Sequence, residues 1–402
     1  MPLLSKLYEN RIVRAAIIIV LAVLAAVSVF RGAQNALLFS QDFQWDAAKA
    51  LCMRLDPYEL SKDTGKVSEY PPLAAFYKMF TDRGLTQKME ANQFPSLLFL
   101  LAPMTVFEPA TARIVWLVCN LIFSAGIIFL LRRTFLEKTG TFEYVCTMLL
   151  MLAGTPYRNQ LGVGQHTLFA LFFFLLAVFI EKRSRTRSAG TVILISLCLF
   201  VSYFKYTLTA PLALYFVYKR RYRELVISVA GHVVLTAAAA LWLGKSFMYM
   251  LTAPLSVASA LVSEGGIDLG VLIGGPLALA AAFLIGIGLT VMTVYMPQQR
   301  EYILFPILVM WSLILTYHRT YDFFVLSAVS MLFCDDFTKD CKDRFRVLLI
   351  SWYAVLIAVI YFGLRAFSEN RASLIGAGII YYGFTAVLTW IGIKMIKDKK
   401  NE

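Results

Sequence analysis

The chain has 402 residues, 59% of them hydrophobic and 16% charged, with a mean hydropathy of +0.69. Soluble domains carry about 25% charged residues, so the composition excludes a soluble multidomain protein and points to a polytopic membrane protein. The net charge of +13 does not call for nucleic acid as a partner, because the basic residues fall in short loops, as membrane topology demands.

The first apolar run, Ala15 to Phe30, follows Lys6, Arg11 and Arg14. It exceeds the roughly 7–15 apolar residues of a cleavable signal peptide. Cleavage near Ala33 would leave the chain starting almost at Asp42, so an uncleaved signal-anchor helix is expected. A polar, aromatic-rich segment from Ser40 to about Asn92 comes next. Ser40 to Arg54 has helical periodicity, with Phe43, Ala47, Ala50 and Leu51 as an apolar stripe suited to lying on a membrane. Asp42 and Asp46, four apart, would share a face of that helix. Either Ser40 caps it and Asp42 complements its dipole, or a carboxylate is held at the membrane edge as a general base. Asp56-Pro57-Tyr58 is a turn signal and Tyr70-Pro71-Pro72 an extended entry to the next segment.

Further apolar runs fall near 94–107, 113–131, 142–154, 166–180, 189–204, 206–218, 225–243, 269–295, 302–317, 321–334, 347–365 and 373–393. The first of these is short and broken by Pro95 and Pro103, which predicts a re-entrant or interfacial piece. About twelve spanning helices remain. With the N-terminus in the cytoplasm, alternation puts more than half of the Lys and Arg residues on the inside. Among them are Arg132, Arg133, Lys138, Lys182, Arg183, Arg185, Arg187, Lys219 to Arg223, Arg300, Lys339, Lys342, Arg344 and Arg346. The expected organisation is one integral membrane domain over 1–402, all α. Residues 31–93 form an extracytoplasmic catalytic loop bearing amphipathic helices, and 394–402 a basic cytoplasmic tail. The expected location is the inner (plasma) membrane, with both termini cytoplasmic. Gly270 and Gly274 form a GxxxG read as helix packing.

The same alternation collects nearly all isolated polar residues on the extracytoplasmic face: Arg158, Gln165, His166, Lys205, His318 and Arg319, beside the 40–92 loop. Polar groups at membrane depth are costly and usually line a cavity. Gly162-Val163-Gly164-Gln165-His166 is either a tight turn or a backbone anion cradle. Lys205 either snorkels to the interface or supplies a cation for a phosphate. Tyr317 to Asp322 is the densest polar cluster between late helices. The six cysteines, Cys52, Cys119, Cys146, Cys198, Cys334 and Cys341, are scattered, so neither a disulfide nor a metal–thiolate site is expected. Gly244-Lys245-Ser246 lacks the glycine at 239 that a P-loop requires.

Taken in order, these pieces resemble glycosyltransferase family 87, membrane enzymes of the GT-C class that use polyprenyl-phosphate sugars. The resemblance rests on Asp42-Phe43 with Trp45, Ala47 and Ala48, Asp56-Pro57-Tyr58, Tyr70-Pro71-Pro72-Leu73, Ala102-Pro103, Gly164-Gln165 and Lys205, and it runs to about residue 225. Beyond that it is mostly a ladder of helices, with His318 as a counterpart of a polar site loop. Tyr206 stands where the family commonly has proline, and Gln44-Trp45 where an aromatic pair is common.

The resemblance implies a GT-C-like bundle and inverting transfer of a mannose- or arabinofuranose-type sugar from a polyprenyl-phosphate donor. The acceptor would be a hydroxyl of a lipid-linked or cell-envelope glycan. It implies Asp42 as general base, with Asp46 the alternative. Lys205, His318 and Arg319 would contact phosphate. Arg158, Gln165, His166, Asp56, Tyr58 and Tyr70 complete the candidate substrate-binding set. No metal and no cofactor is expected, since a monophosphate leaving group does not require a divalent ion. A transporter or flippase of lipid-linked saccharides is the alternative. It would need polar residues spread through the bilayer depth and usually an inverted repeat.

Overall fold

The computed structural model describes residues 10–184, 186–261, 266–333, 343–363 and 370–400. Lys6, Arg185, Lys339, Lys342, Cys334 and Cys341, used above, lie outside the described residues. Every described element is helical, with no strand among the described residues. Among the described residues, seven helices are long and apolar enough to cross a membrane: Arg11–Leu38, Pro109–Thr134, Ala189–Leu212, Tyr222–Leu243, Gly275–Tyr295, Arg344–Phe362 and Ala372–Asp398. A bent pair, Thr155–Val163 with Thr167–Arg183, makes an eighth if counted as one span. Shorter apolar helices begin at Pro95, Thr141, Phe247, Glu301 and Thr320.

The ends of the bundle are chemically distinct. Glu301 pairs with Lys182 at 2.6 Å and with Lys219, and Arg221 reaches Glu181 at 3.6 Å and Glu224 at 3.2 Å. Residues 181–182, 219–221 and 301 therefore meet at one end. Ala189–Ser202 climbs away from that end to Lys205, which meets Asp322, and the chain is back by Lys219, so the Ala189–Leu212 run turns back at Tyr203–Lys205 and is not one straight span. Thr209 Oγ1 donates to the Ser202 carbonyl at 2.9 Å across this reversal. At the other end stand Thr167 and Asp322, which are hydrogen-bonded. The Thr167–Arg183 helix joins the two ends, and its 17 residues span about 25 Å.

Two helix expectations change. The Ser40–Arg54 segment is not one helix lying on a membrane. Ser40 (φ 41°) and Gln44 (φ 61°) take left-handed conformations, so a 3-10 turn, Gln41–Phe43, precedes a separate helix, Trp45–Cys52. Ser40 makes no side-chain cap; its hydroxyl donates to the Ala36 carbonyl at 2.7 Å. The stripe of Phe43, Ala47, Ala50 and Leu51 is fully buried in the loop's own core with Trp45, Tyr58, Leu73, Phe76, Leu98, Trp116 and Phe204. Burying these groups inside the protein removes more apolar surface from water than resting one face on lipid. The 269–295 run is likewise split. Gly274, at φ 84°, separates Leu269–Ile273 from Gly275–Tyr295. The 94–107 segment is a short helix, Pro95–Leu101, continued by a 3-10 turn, with Leu97, Leu98 and Leu101 buried in that same core.

Candidate active site

The break between Thr155–Val163 and Thr167–Arg183 turns the chain by 106°. Gly164 closes the first helix at φ 68°, a conformation that favours glycine. A Cβ there would lie 3.1 Å from both Cβ and Oγ of Ser40. The turn is held from several sides. Trp116 Nε1 donates to the Gly164 carbonyl at 2.8 Å, and Gln160 donates to the Gln165 carbonyl at 2.6 Å. The N–H of His166 donates to Gln165 Oε1 at 2.8 Å, so it is occupied within the turn. His166 Nε2 lies 2.9 Å from the carbonyl of Phe43, and Phe43 stacks on Trp116 with centroids 4.9 Å apart. Gly164, Gln165 and His166 thus fix the backbone that carries Asp42.

Asp42 faces a polar pocket. Gln165, Tyr317, Arg319 and Tyr321 stand on the bundle side, and Asp42 with Gln41, Gln44 and Asp46 on the adjoining turn. A third wall comes from the loop at Gln87, Lys88, Glu90, Asn92 and Gln93. Gln165 Nε2 donates to the Tyr321 hydroxyl at 2.9 Å, and Tyr321 presents that hydroxyl to Asp42. Burial pushes the Asp42 carboxyl above the ordinary aspartate range, opposed chiefly by the Arg319 charge and then by Tyr321 and Lys205. Arg319 Nε donates to the Tyr317 hydroxyl at 2.5 Å.

Behind this layer is a buried charge cluster. Asp322 is fully buried and gathers His318 Nδ1 at 2.7 Å, Lys205 Nζ at 3.2 Å and the Thr167 hydroxyl. Lys205 also stands 5.6 Å from the Tyr321 ring. The pocket and this cluster bring together Asp42, Gln165, Lys205, His318 and Arg319, drawn from segments up to 277 positions apart. Arg319 lines the pocket itself, whereas Lys205 and His318 are held one layer back on Asp322.

Asp46 lines the pocket too, but it is buried and takes a hydrogen bond from Tyr77. Burial raises its carboxyl, opposed first by that hydrogen bond. The remaining candidates serve the scaffold. Asp56 caps the Pro57–Lys62 helix through Tyr58 N at 2.9 Å and Glu59 N at 3.2 Å, and accepts from the Tyr249 hydroxyl at 2.8 Å. Tyr58, wholly buried, donates to the Gln93 carbonyl at 2.8 Å. Ser61, one turn on, accepts from Ala91 N at 3.0 Å. The Asp-Pro-Tyr motif therefore anchors the loop that forms the pocket's third wall. Tyr70 precedes the Pro71–Thr81 helix and packs on the loop core. Arg158 sits on the Thr155–Val163 helix, which packs against Arg11–Leu38, and does not line the pocket.

Tyr321, Asp322, Glu90, Gln44 and Gln93 were not singled out as site residues by pattern. Asp322 and Tyr321 carried a signal, since both belong to the 317–322 cluster. The other three are lone polar residues in a polar loop. Cys52, Cys119, Cys146 and Cys198 carry free thiols. No group of three or more potential metal ligands occurs among the described residues.

An all-helical bundle with this many apolar spans is an integral membrane protein, and its pocket gathers three carboxylates, an arginine, a lysine and several amides at one end. The model of glycosyltransferase family 87 matches residues 95–335, more than half of the chain, and the chain belongs to that family. The match takes in Ala102-Pro103, Gly164-Gln165, Lys205 and His318, and begins after Asp42, Asp56 and Tyr70. No curated protein and no solved structure matches the chain. Family membership makes it a membrane glycosyltransferase.

Proposed function

We propose that the chain transfers a mannose- or arabinofuranose-type sugar from a polyprenyl-phosphate donor to a hydroxyl of a lipid-linked or cell-envelope glycan, with inversion and with Asp42 as general base. The acceptor oxygen attacks the anomeric carbon as the bond from that carbon to the phosphate oxygen breaks, and the electron pair leaves on the phosphate. The hydroxyl proton passes to Asp42. The donor is a phosphodiester with one negative charge, and the product is a monoester that carries more. A cation at the leaving oxygen is therefore worth more in the transition state than in the ground state. Arg319 supplies it at the pocket wall, and Lys205, with donors beyond the one facing Asp322, supplies it from behind.

The observation that carries this reading is the placement of Asp42 and Arg319 in one pocket, with Tyr321 and Gln165 orienting the carboxyl. In this reading about twelve helices cross an inner (plasma) membrane, and the end at Lys182, Lys219 and Glu301 faces the cytoplasm. The pocket and the 31–93 loop face outward. The gathering of basic residues at the end opposite the pocket supports that orientation. The test is Asp42→Asn in purified protein with labelled polyprenyl-phosphate sugar and membrane lipid extract as acceptor. Turnover is expected to fall by about 10²–10⁴-fold; wild-type turnover in that variant would remove Asp42 from the base role.

A further inference from the structure

Gln44 and Gln93 stand on adjoining walls of the pocket, and both are more than nine-tenths buried. The Gln44 amide nitrogen donates to the Glu90 carbonyl at 2.9 Å, which fixes the amide's orientation and leaves Oε1 as the end turned away from that bond. The Gln93 nitrogen donates to Asn92 Oδ1 at 3.3 Å. Neither Gln44 Oε1 nor Gln93 Oε1 has a hydrogen-bond partner among the described residues. Buried acceptors left unmet are costly; both oxygens are closed off here, so a bound molecule meets them as the Gln44 and Gln93 side chains turn into the cavity.

The charge around them sets which molecule. Asp42, Asp46 and Glu90 share this side of the pocket, and burial followed by the nearby Asp42 charge raises the Glu90 carboxyl. Carbonyl and carboxylate oxygens repel a phosphate and accept from hydroxyls. Arg319 lies across the pocket on the bundle side. The Gln44 and Gln93 side of the cavity is thus mostly acceptor oxygen, with Lys88 beside Glu90, and Arg319 supplies the cation on the bundle side.

We infer that Gln44 and Gln93 form a subsite for a neutral saccharide unit of the acceptor, each amide oxygen accepting a hydrogen bond from a sugar hydroxyl, while the phosphate-bearing donor lies against Arg319. This assignment deepens the proposed transferase reading and rests on it. Two devices hold the wall in register. Tyr58 and Ser61 anchor 91–93 to the Pro57–Lys62 helix, and the left-handed φ of Gln44 turns its side chain from the 3-10 turn toward the loop. A single hydrogen-bonded hydroxyl lost from a polar site commonly costs a sizeable share of affinity, because the partner group stays buried and unmet.

The test uses the full chain in lipid nanodiscs, with octyl mannoside and octyl glucoside as neutral glycoside probes and farnesyl phosphate as the anionic probe. Binding is read by calorimetry, and thermal unfolding is recorded for every variant. In Gln44→Leu and Gln93→Leu, glycoside affinity is expected to fall by about tenfold or more, with farnesyl phosphate affinity unchanged. Gln93→Glu, which keeps an acceptor oxygen, should retain glycoside binding. Arg319→Gln should do the reverse of the leucine variants, weakening farnesyl phosphate and sparing the glycosides. Glycoside affinity that is absent in the wild type, or unchanged in both leucine variants, would overturn the subsite. So would a parallel loss of both probes in variants that melt like wild type. Failure of the transferase reading shows separately, as Asp42→Asn turnover equal to wild type.

Discussion

The hydroxyl of Tyr321 accepts from the amide of Gln165 at 2.9 Å and faces Asp42. Its own proton is thereby directed at the carboxyl. A hydrogen bond to the charged form favours ionisation and works against burial. Tyr321 and Gln165 therefore orient the proposed base and tune it.

That tuning has a pH signature. Burial holds the Asp42 carboxyl above its usual range, with Arg319 the strongest opposing influence. A general base acts only when deprotonated, so kcat/KM falls as pH drops through the raised pKa. Removing a group that lowers the pKa moves that acid limb upward. In Arg319→Gln the midpoint should shift to higher pH, and in Tyr321→Phe it should shift the same way by less. Profiles of kcat/KM between about pH 4 and 8 measure both. A limb that stays fixed in both variants would assign it to another group.

The buried cluster behind the pocket predicts a stability effect. Asp322→Asn removes the negative charge facing Lys205 and weakens the acceptor of His318 and Thr167. A buried pair broken on one side costs about 3–5 kcal/mol. The melting temperature in detergent should drop clearly. The double variant Asp322→Asn with Lys205→Met should recover part of it, since no unpaired ammonium remains. Equal melting of wild type and Asp322→Asn would show that the cluster adds nothing to the fold.

Much of this arrangement was readable in the sequence. The apolar ladder is set by run length and composition, which need no tertiary information. Gln165, Lys205, His318 and Arg319 stand out because each interrupts or borders an apolar run, whereas Asp42 is pointed to by the family resemblance of its Asp-Phe motif. The reversal at Lys205 and the corner at Gly164 follow from the same interruptions. The structure departs from a single helix through Gln44, because periodicity over Phe43, Ala47, Ala50 and Leu51 survives one left-handed residue, and that residue separates Asp42 from the face of Asp46. Gln44, Glu90 and Gln93 were invisible for a different reason. They lie among polar neighbours, and only the fold of the loop onto Tyr58 and Ser61 brings them to the pocket.

The corner at Gly164 offers a backbone test. An alanine at φ 68° takes a conformation costing about 1–2 kcal/mol, and its Cβ would press on Ser40 at 3.1 Å. Ser40 is itself left-handed and sits two residues before Asp42. Gly164→Ala should lower both the melting temperature and turnover. Gly154→Ala tests the specificity of that claim, because its Cβ would meet the Tyr361 ring at 2.9 Å at the opposite end of the Thr155–Val163 helix. It should lower stability with a smaller loss of turnover. Turnover lost equally in the two variants would detach the effect from Ser40 and Asp42.

Tyr58 separates positioning from chemistry. Its hydroxyl donates to the Gln93 carbonyl at 2.8 Å, and Tyr58 itself does not line the pocket. Tyr58→Phe keeps the ring in the loop core, where it packs among Phe76, Leu97 and Leu98. It leaves the Gln93 carbonyl without its donor. The 91–93 segment then depends on the Ser61 bond to Ala91, and the wall carrying Gln93 loosens. Loss of uniform binding raises KM and leaves kcat unchanged, whereas loss of a transition-state contact lowers kcat. Acceptor KM should therefore rise several-fold, with kcat within about twofold of wild type. Donor KM should not change, because the Arg319 wall belongs to a different segment. A fall in kcat at constant acceptor KM would move Tyr58 from scaffold to chemistry and would contradict the anchoring role given to the Asp56-Pro57-Tyr58 motif.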